Sequence, residues 1–377
     1  MPKYGIITES RSLAAVCDAL EGEKEIAFDL EADSLHHYRE KVCLLQVSDR
    51  ENTWLIDPLA FNDLSPLGGI LASKGRLTVF HGGDYDIRSL YRDFGITVAS
   101  MFDTMIAAQF CGVTEFGLAA LLRENFGIEL DKRFQKADWS RRPLTAEMAD
   151  YAAKDTAYLL GLSDRLRQRL EQLGRLAWVE EECAMVASAR MAEKGEGPLF
   201  LNCKGAGRLD RRSLAVLEEL LQFRDKEAQT LDRPPFKVIS SETLIILAEK
   251  QPKSVHEMNG VSGLTPKLQE RYGSRLLAAV QRGMALSPES LPRFPRGRGE
   301  PNPGIKGRLA RLRQWREGIS RELNLAPGLV APNWLLERVA EQMPKAVEPL
   351  SQVQGIRRWQ LSLWGEELLK QLTKESH

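Results

Sequence analysis

The sequence is poor in cysteine and has no long hydrophobic run, and each absence excludes a class of protein. Its five cysteines are scattered and form no Cys-x-x-Cys pair, which argues against a disulfide framework and a thiolate zinc site. No apolar run approaches the ~18 residues that a membrane-spanning helix needs. The first residues carry no basic segment followed by an apolar core, so a secretory signal is not expected. We therefore expect a cytoplasmic protein with free thiols and no membrane partner.

Net charge is also absent, because 52 Lys and Arg balance 52 Asp and Glu among the 377 residues. The balance is uneven along the chain: residues 1–207 carry 24 basic and 32 acidic side chains, whereas residues 208–377 carry 28 and 20. An acidic part joined to a basic part indicates that the second part holds a polyanion such as a nucleic acid. A merely solvated surface is the alternative.

Short β-rich runs alternate with helical patterns before residue 205, which predicts a mixed α/β sheet. The predicted strands lie at residues 25–31, 42–47, 53–57, 77–81 and 96–101. The first three have connections short enough for antiparallel pairing. The predicted helices lie at residues 85–94, at 104–110 after an Asp103 cap, and from Thr145 to about residue 194.

Beyond Gly205 the patterns are helical, and the chain repeats itself at an offset of 92 residues. The matched pairs include Leu217 with Leu309, Arg224 with Arg316, Pro252 with Pro344, Phe223 with Trp315 and Tyr272 with Trp364. We therefore predict an α/β domain over residues 1–205, helical modules over 206–287 and 308–377, and a Pro/Gly/Arg-rich linker over 288–307.

Two carboxylates share one face of the first predicted strand. Asp29 and Glu31 are two residues apart, so strand alternation places them together while Phe28 and Leu30 face the other way. Two like charges at the end of a buried strand are costly unless a cation neutralises them. A solvated strand end is the alternative for either residue alone.

Two further acids lie where predicted elements begin or turn. Asp86 follows the turn after the strand at 77–81, a common place for catalytic groups, or it supplies charge to a helix N-terminus. Tyr151 and Asp155 are four residues apart and share one helix face, with core and surface roles as alternatives. Four carboxylates without His or Cys at ligand spacing favour Mg²⁺ or Mn²⁺, and two such ions can clamp a phosphodiester for hydrolysis.

These residues form three motifs, Asp29-x-Glu31, His81-Gly-Gly-Asp-Tyr-Asp86 and Tyr151-Ala-Ala-Lys-Asp155. In this order they resemble the exonuclease motifs of the DEDD superfamily, tyrosine branch. Residues 132–144 are similar to the segment that precedes the third motif in the ribonuclease D family, and the repeated modules resemble HRDC domains. The resemblance implies a ribonuclease-H-like α/β exonuclease domain followed by two all-α HRDC-like domains.

The resemblance also implies a role for each motif residue. Asp29, Glu31, Asp86 and Asp155 would hold two divalent metal ions, Mg²⁺ or Mn²⁺, with Asp29 bridging them, and Tyr151 would orient the attacking water. The implied activity is 3′→5′ hydrolysis at single-stranded RNA 3′ ends with release of 5′-mononucleotides. We expect tRNA precursors as substrates and a monomeric enzyme.

Several other residues have two interpretations each. His36 and His37 could touch the terminal nucleotide, or belong to a solvated loop. Trp139, Arg141 and Arg142 could stack on or grip RNA, or they could be a buried tryptophan and two surface arginines. His81 is expected to anchor the turn that follows it, and Asp103 to cap a helix or to support the metal site.

Two rival functions remain at this stage. A DNA-directed 3′-5′ exonuclease would use the same acids, and a catalytically silent nucleic-acid-binding scaffold would not need them. The complete acidic set argues against the scaffold. If the helical modules only grip RNA, a fragment ending near Gly205 is expected to keep the chemistry.

Overall fold

A mixed sheet organises the first part of the chain. The computed structural model describes residues 3–61, 63–189, 197–294 and 303–373, and within them the sheet has six strands in the order β1-β4-β3-β2-β5-β6. The strands are β1 (Tyr4–Ile7), β2 (Glu25–Ala32), β3 (Val42–Ser48), β4 (Thr53–Ile56), β5 (Leu77–Phe80) and β6 (Met101–Asp103). The strands β2, β3 and β4 pair antiparallel, as their short connections predict.

Two strands differ from the sequence prediction. The short edge strand β1 was not predicted; it pairs in parallel with β4. The strand predicted at residues 96–101 is instead β6, which begins where that prediction ends. Ile96 and Val98 are buried but precede the ladder, because Gly95 ends the preceding helix in the left-handed conformation and the chain needs these residues to return to the sheet.

Helices cover the sheet, and the predicted segments from residues 85 and 104 form α3 and α4 as expected. The helices of this part are α1 (Ser10–Glu21), α2 (Ser65–Leu71), α3 (Asp84–Phe94), α4 (Thr104–Phe110), α5 (Leu118–Phe126), α6 (Ala146–Ala157), α7 (Leu159–Gln172) and α8 (Leu176–Ala187). The long helical stretch predicted from Thr145 is divided into α6, α7 and α8. Residues 190–194 of that prediction lie outside the described residues.

The rest of the described chain is helical. It contains α9 (Arg211–Thr230), α10 (Pro235–Val238), α11 (Ser241–Lys250), α12 (Pro266–Ala285), α13 (Pro303–Leu323), α14 (Pro327–Val330), α15 (Asn333–Gln342), α16 (Val347–Ser351) and α17 (Arg358–Thr373). We call α9–α12 the first module and α13–α17 the second module. Residues 295–302 of the predicted linker lie outside the described ranges.

The sequence repeat is a repeat of contacts as well. Arg224 donates to the Ile239 carbonyl and the Ser241 hydroxyl, and 92 positions later Arg316 donates to the Ala331 carbonyl and the Asn333 side chain. Phe223 and Tyr272 pair edge to face, as do Trp315 and Trp364 in the second module. The two modules therefore share one fold, because each retains the arginine and the aromatic pair that join its helices.

The described residues divide into two compact units. One comprises those within Met1–Ala32, Val42–Met191 and Glu300–His377, which joins the sheet domain to the second module. The other comprises those within Asp33–Lys41 and Ala192–Gly299, which contains the first module. In the parts of the chain that the structure describes, no helix is long and apolar enough to cross a membrane.

The second module shares its hydrophobic core with the sheet domain. Trp178 of α8 stacks on Trp359 of α17, and the Trp359 ring also meets Phe110 of α4 edge to face. Glu182 accepts two hydrogen bonds from the Arg357 guanidinium, each 2.9 Å long. A fragment ending near Gly205 would expose these apolar rings to water, so we expect it to be less stable than the full chain. Whether it keeps the chemistry stays a prediction.

Candidate active site

The strand β2 carries Asp29 and Glu31 at the point where its pairing with β5 has ended. The last pair between these strands is Ala27 with Val79, so the far end of β2 is free of β5 on that side. Phe28 is fully buried in the core and packs against Phe80. Strand alternation therefore sends the two carboxylates to the opposite face, as the sequence predicts.

A tight turn after β5 brings Asp86 to the same place. Gly82 has φ of +75°, and a Cβ on Gly83 would lie 2.7 Å from the Phe80 Cβ, so both positions need glycine. Asp103 holds this turn, because its carboxylate accepts from the backbone N–H groups of Gly82 and Gly83 at 2.9 and 2.8 Å. Asp86 then lies in the first turn of α3 and is only 6% exposed.

Asp103 also caps the N-terminus of α4. One oxygen of its carboxylate accepts from the backbone N–H of Met105 at 2.8 Å and of Ile106 at 3.3 Å. This is the helix cap that the sequence predicts. Its bonds to the glycine turn were not predicted, because β5 and β6 must first pair before the two segments meet.

The helix α6 supplies Tyr151 and Asp155 from one face. Thr145 caps this helix by accepting from the Met148 N–H, as the sequence predicts. Thr156 fixes the helix to the sheet, since its hydroxyl lies 2.7 Å from that of Ser48 in a buried contact. This contact cannot be predicted from local patterns, because two hydroxyls 108 positions apart have no recognisable spacing.

The acids and the tyrosine line one open cleft of about 970 Å³. Other side chains on its walls include His81, Arg123, Lys132 and Gln135. The motif residues that line the cleft are Asp29, Glu31, Asp86, Tyr151 and Asp155. The structure thus brings together the five residues that the motifs single out.

Burial raises the pKa of all four carboxyl groups, and the charge of Asp29 adds to the effect on the other three. Burial raises the pKa of Asp29 to about 7. Burial also raises the pKa of Glu31 well above its ordinary value, and the charges of Asp29, Asp155 and Asp86 add to the effect. The pKa values of Asp86 and Asp155 are raised by burial and then by the charge of Asp29. Four acids that oppose one another's ionisation form a site that a cation would stabilise.

The acids lie around the cleft without touching one another. Among the described residues, no three His, Cys, Asp or Glu side chains are close enough to form a ready-made metal-ligand set. The donor chemistry nonetheless fits a hard divalent cation, because carboxylate oxygens are the ligands that Mg²⁺ and Mn²⁺ prefer.

Tyr151 is held by an aromatic cage. Its ring lies 5.9 Å from that of Phe134 and 6.0 Å from that of Trp139, measured between centroids. Burial raises the pKa of Tyr151, and the charges of Asp155, Glu31 and Asp29 raise it further. The hydroxyl therefore stays protonated and can donate a hydrogen bond in the cleft.

For Trp139 and Arg142 the structure favours packing over contact with RNA. Trp139 is 1% exposed, so its ring offers no free face for a base. Arg142 donates to both carboxylate oxygens of Asp57 and to the Cys43 and Trp139 carbonyls, so its guanidinium is already occupied. Both residues stabilise the segment that precedes α6. This segment contributes Phe134 and Trp139, whose rings contact Tyr151.

His36 and His37 belong to the other compact unit. The His37 Nδ1 lies 2.7 Å from a carboxylate oxygen of Asp232, a residue of the first module. The neighbouring Tyr38 donates from its hydroxyl to Asp225 and from its backbone to Asp232. The segment that follows β2 in sequence is therefore fastened to the first module, a contact that local sequence patterns do not reveal.

Comparisons with known proteins agree with this geometry. Residues 4–171 match the family model described as 3'-5' exonuclease, and residues 213–280 and 306–372 each match the HRDC domain. The chain is 32% identical over 374 residues to ribonuclease D of Granulibacter bethesdensis, covering 98% of this chain and 92% of that one. The chain thus belongs to a class of proteins in which a 3′-5′ exonuclease domain is followed by two HRDC domains.

Solved structures agree as well. The crystal structure of Escherichia coli RNase D, an exoribonuclease involved in structured RNA processing, matches with a TM-score of 0.75 and 27% identity over 98% of both chains. The catalytic core of RRP6 from Trypanosoma brucei matches with a TM-score of 0.65 and 29% identity, over 76% of this chain and 81% of that one. The chain belongs to the ribonuclease D family and is a 3′-5′ exoribonuclease. The resemblance and the fold class inferred from the motifs are confirmed.

Proposed function

We propose that the cleft hydrolyses the terminal phosphodiester of an RNA 3′ end with two divalent metal ions and releases a 5′-mononucleotide. Asp29, Glu31, Asp86 and Asp155 would hold the ions. The observation that carries this proposal is the convergence of these four carboxyl groups and Tyr151 on one cleft, where burial raises the pKa of each carboxyl group. When bound, such ions supply a hydroxide nucleophile at neutral pH and stabilise the leaving 3′ oxygen.

Tyr151 would orient the attacking water. Its hydroxyl stays protonated because burial and the neighbouring acids raise its pKa, and Phe134 and Trp139 fix the plane of its ring. A hydrogen-bonding group held in this way lowers the entropic cost of aligning water with the scissile phosphorus. Tyr151 is therefore expected to affect the chemical step more than RNA affinity.

We further propose that the substrates are single-stranded 3′ tails, with those of tRNA precursors as the physiological case, and that the enzyme acts as a cytoplasmic monomer. The excess of basic residues beyond residue 207 supports a polyanionic partner. The similarity to named ribonucleases favours RNA over the rival DNA substrate, and the complete acidic set favours catalysis over a silent scaffold.

The test is incubation of the full-length protein with 3′-end-labelled RNA and DNA strands of one sequence. We expect release of the label as a 5′-mononucleotide in the first turnover from RNA with Mg²⁺ or Mn²⁺, and no release in EDTA. A second RNA with a tRNA-like stem and a short 3′ tail shows whether trimming stops at the stem. Full activity in EDTA would contradict the metal mechanism, and equal rates on DNA would contradict the preference for RNA.

A further inference from the structure

His81 lies in the cleft but is not needed by the mechanism described above. It follows β5 directly and precedes the Gly82 turn, and its half-buried side chain lines the cleft with Asp29, Glu31 and Asp86. From its place in the sequence, His81 is expected to anchor the turn. The structure gives it one anchor, a 2.9 Å contact between its Nδ1 and the Thr104 hydroxyl.

The partner of that contact determines which ring nitrogen carries the proton. The Thr104 hydroxyl donates its single hydrogen to the Phe80 carbonyl at 2.9 Å. Thr104 can therefore only accept from His81, so the His81 Nδ1 is the protonated nitrogen. Burial lowers the pKa of His81, which favours the neutral ring. A neutral imidazole protonated at Nδ1 has a lone pair at Nε2.

The lone pair at Nε2 remains available. Within the described ranges, His81 makes no hydrogen bond other than the one to Thr104. An acceptor fixed in this way cannot hold a phosphate oxygen, which is also an acceptor. The four carboxylates are the better ligands for a hard cation, so Nε2 is suited to a hydrogen-bond donor from the substrate.

The donor must be present on every nucleotide, because an exonuclease removes each terminal residue in turn. Amino groups on bases differ from one nucleotide to the next, whereas ribose hydroxyls do not. We propose that the His81 Nε2 accepts a hydrogen bond from a ribose hydroxyl of the 3′-terminal nucleotide. This inference rests on the proposed function, since it assumes that an RNA 3′ end occupies the cleft.

The 2′ and 3′ hydroxyls are two sources of the same donor, and modified substrates distinguish them. The full-length enzyme is given three RNA strands of one sequence that end in a ribonucleotide, a 2′-deoxynucleotide or a 3′-deoxynucleotide. The kcat/KM for removal of the terminal residue is measured with the wild type, with His81→Ala, and with His81→Asn, which retains a shorter acceptor. His256→Ala, at an exposed histidine of the first module, is the control.

We expect the wild type to prefer the ribonucleotide terminus about tenfold over the strand that lacks the bonded hydroxyl. His81→Ala should lower the rate on the ribonucleotide terminus to that deoxy level and leave the deoxy rate unchanged, while His81→Asn should recover part of the preference. The control should keep the wild-type ratio. Whichever deoxy strand shows the effect identifies the hydroxyl.

Other outcomes would overturn the inference. If the wild type removes all three termini equally fast, or if the preference persists in His81→Ala, His81 does not bind a hydroxyl. An equal loss on all three strands would assign His81 to the turn or to the metal ligands, and thermal melting would show whether folding is affected. No release from any strand with metal present would overturn the proposed function as well.

Discussion

Trp178 of α8 stacks on Trp359 of α17 with ring centroids 4.9 Å apart and planes inclined by 12°. The contact joins the sheet domain to the second module, and the Arg357–Glu182 ion pair lies beside it. The helix α8 also contacts β6, which ends at Asp103, the residue that holds the glycine turn before Asp86. The second module is therefore a structural support of the catalytic domain.

The ion pair between Arg357 and Glu182 gives a prediction for stability. Arg357→Ala removes two hydrogen bonds to the carboxylate of Glu182, and we expect the free energy of unfolding to fall by about 2 kcal/mol. Arg313→Ala, which removes a 3.7 Å exposed pair with Glu337 in the same module, should cost less than about 1 kcal/mol. Chemical denaturation of the full chain measures the free energy of unfolding of both variants. Equal decreases would contradict a special role for the Arg357–Glu182 pair.

The acidic residues give a prediction for catalysis. Asp155→Asn keeps the size of the side chain but removes a charged ligand, so we expect kcat to fall on the order of 10³-fold or more. Asp150→Asn is the matched control, because Asp150 lies on the same helix without lining the cleft. Single-turnover cleavage of a short RNA measures the effect. Near-normal cleavage by Asp155→Asn would remove this residue from the metal site.

Tyr151 gives a prediction that separates chemistry from packing. Tyr151→Phe keeps the ring between Phe134 and Trp139 but removes the hydroxyl, so kcat should fall by about 10²-fold with little change in RNA affinity. Tyr158→Phe, at the end of the same helix and outside the cleft, serves as the control. A wild-type kcat in Tyr151→Phe would leave the residue with a packing role alone.

The raised pKa of Asp29 gives a prediction for pH. Its pKa is about 7 in the folded protein against an ordinary 3.8, so between these values the folded state binds more protons than the unfolded state. In EDTA the melting temperature should therefore fall as pH rises from about 5 to 8. Asp29→Asn should flatten this dependence, and added Mn²⁺ should raise the melting temperature more at pH 8 than at pH 5. A melting temperature that rises over this range in EDTA would contradict the prediction.

The first module gives a prediction for RNA binding. Phe236 is 55% exposed and is followed by the exposed Lys237, which together can stack on a base and contact a phosphate. The residue equivalent to Phe236 in the second module is Gly328, which lines a pocket with Phe110 and Glu182 of the sheet domain. In the second module this position therefore lies against the sheet domain, whereas in the first module Phe236 is exposed.

We expect Phe236→Ala to weaken the affinity for a single-stranded RNA about tenfold, and Lys237→Glu to make the dependence of Kd on salt shallower. Met284→Ala replaces another exposed apolar side chain of the module and should leave Kd unchanged. Fluorescence anisotropy in EDTA, which prevents cleavage, measures Kd at several salt concentrations. Unchanged values for both variants would show that this face does not contribute to RNA binding.

Local patterns in the sequence determine the β2–β3–β4 meander, the acids and the repeat of 92 residues. Alternation alone places Asp29 and Glu31 on one face, since side chains in a strand point to opposite sides in turn. Helical spacing alone joins Tyr151 to Asp155. The repeat survives in the fold because Arg224 and Arg316 make equivalent hydrogen bonds to backbone carbonyls.

Only the tertiary structure determines the roles of several residues for which the sequence allows more than one interpretation. Trp139 and Arg142 are built into the domain, Asp103 holds both a helix and a turn, and the tautomer of His81 depends on Thr104. The tertiary structure also distinguishes the two helical modules, because the second module packs against α8 of the sheet domain. Sequence periodicity reports which face of an element is apolar, but the partner of that face and the burial of a given charge depend on segments far apart in the chain.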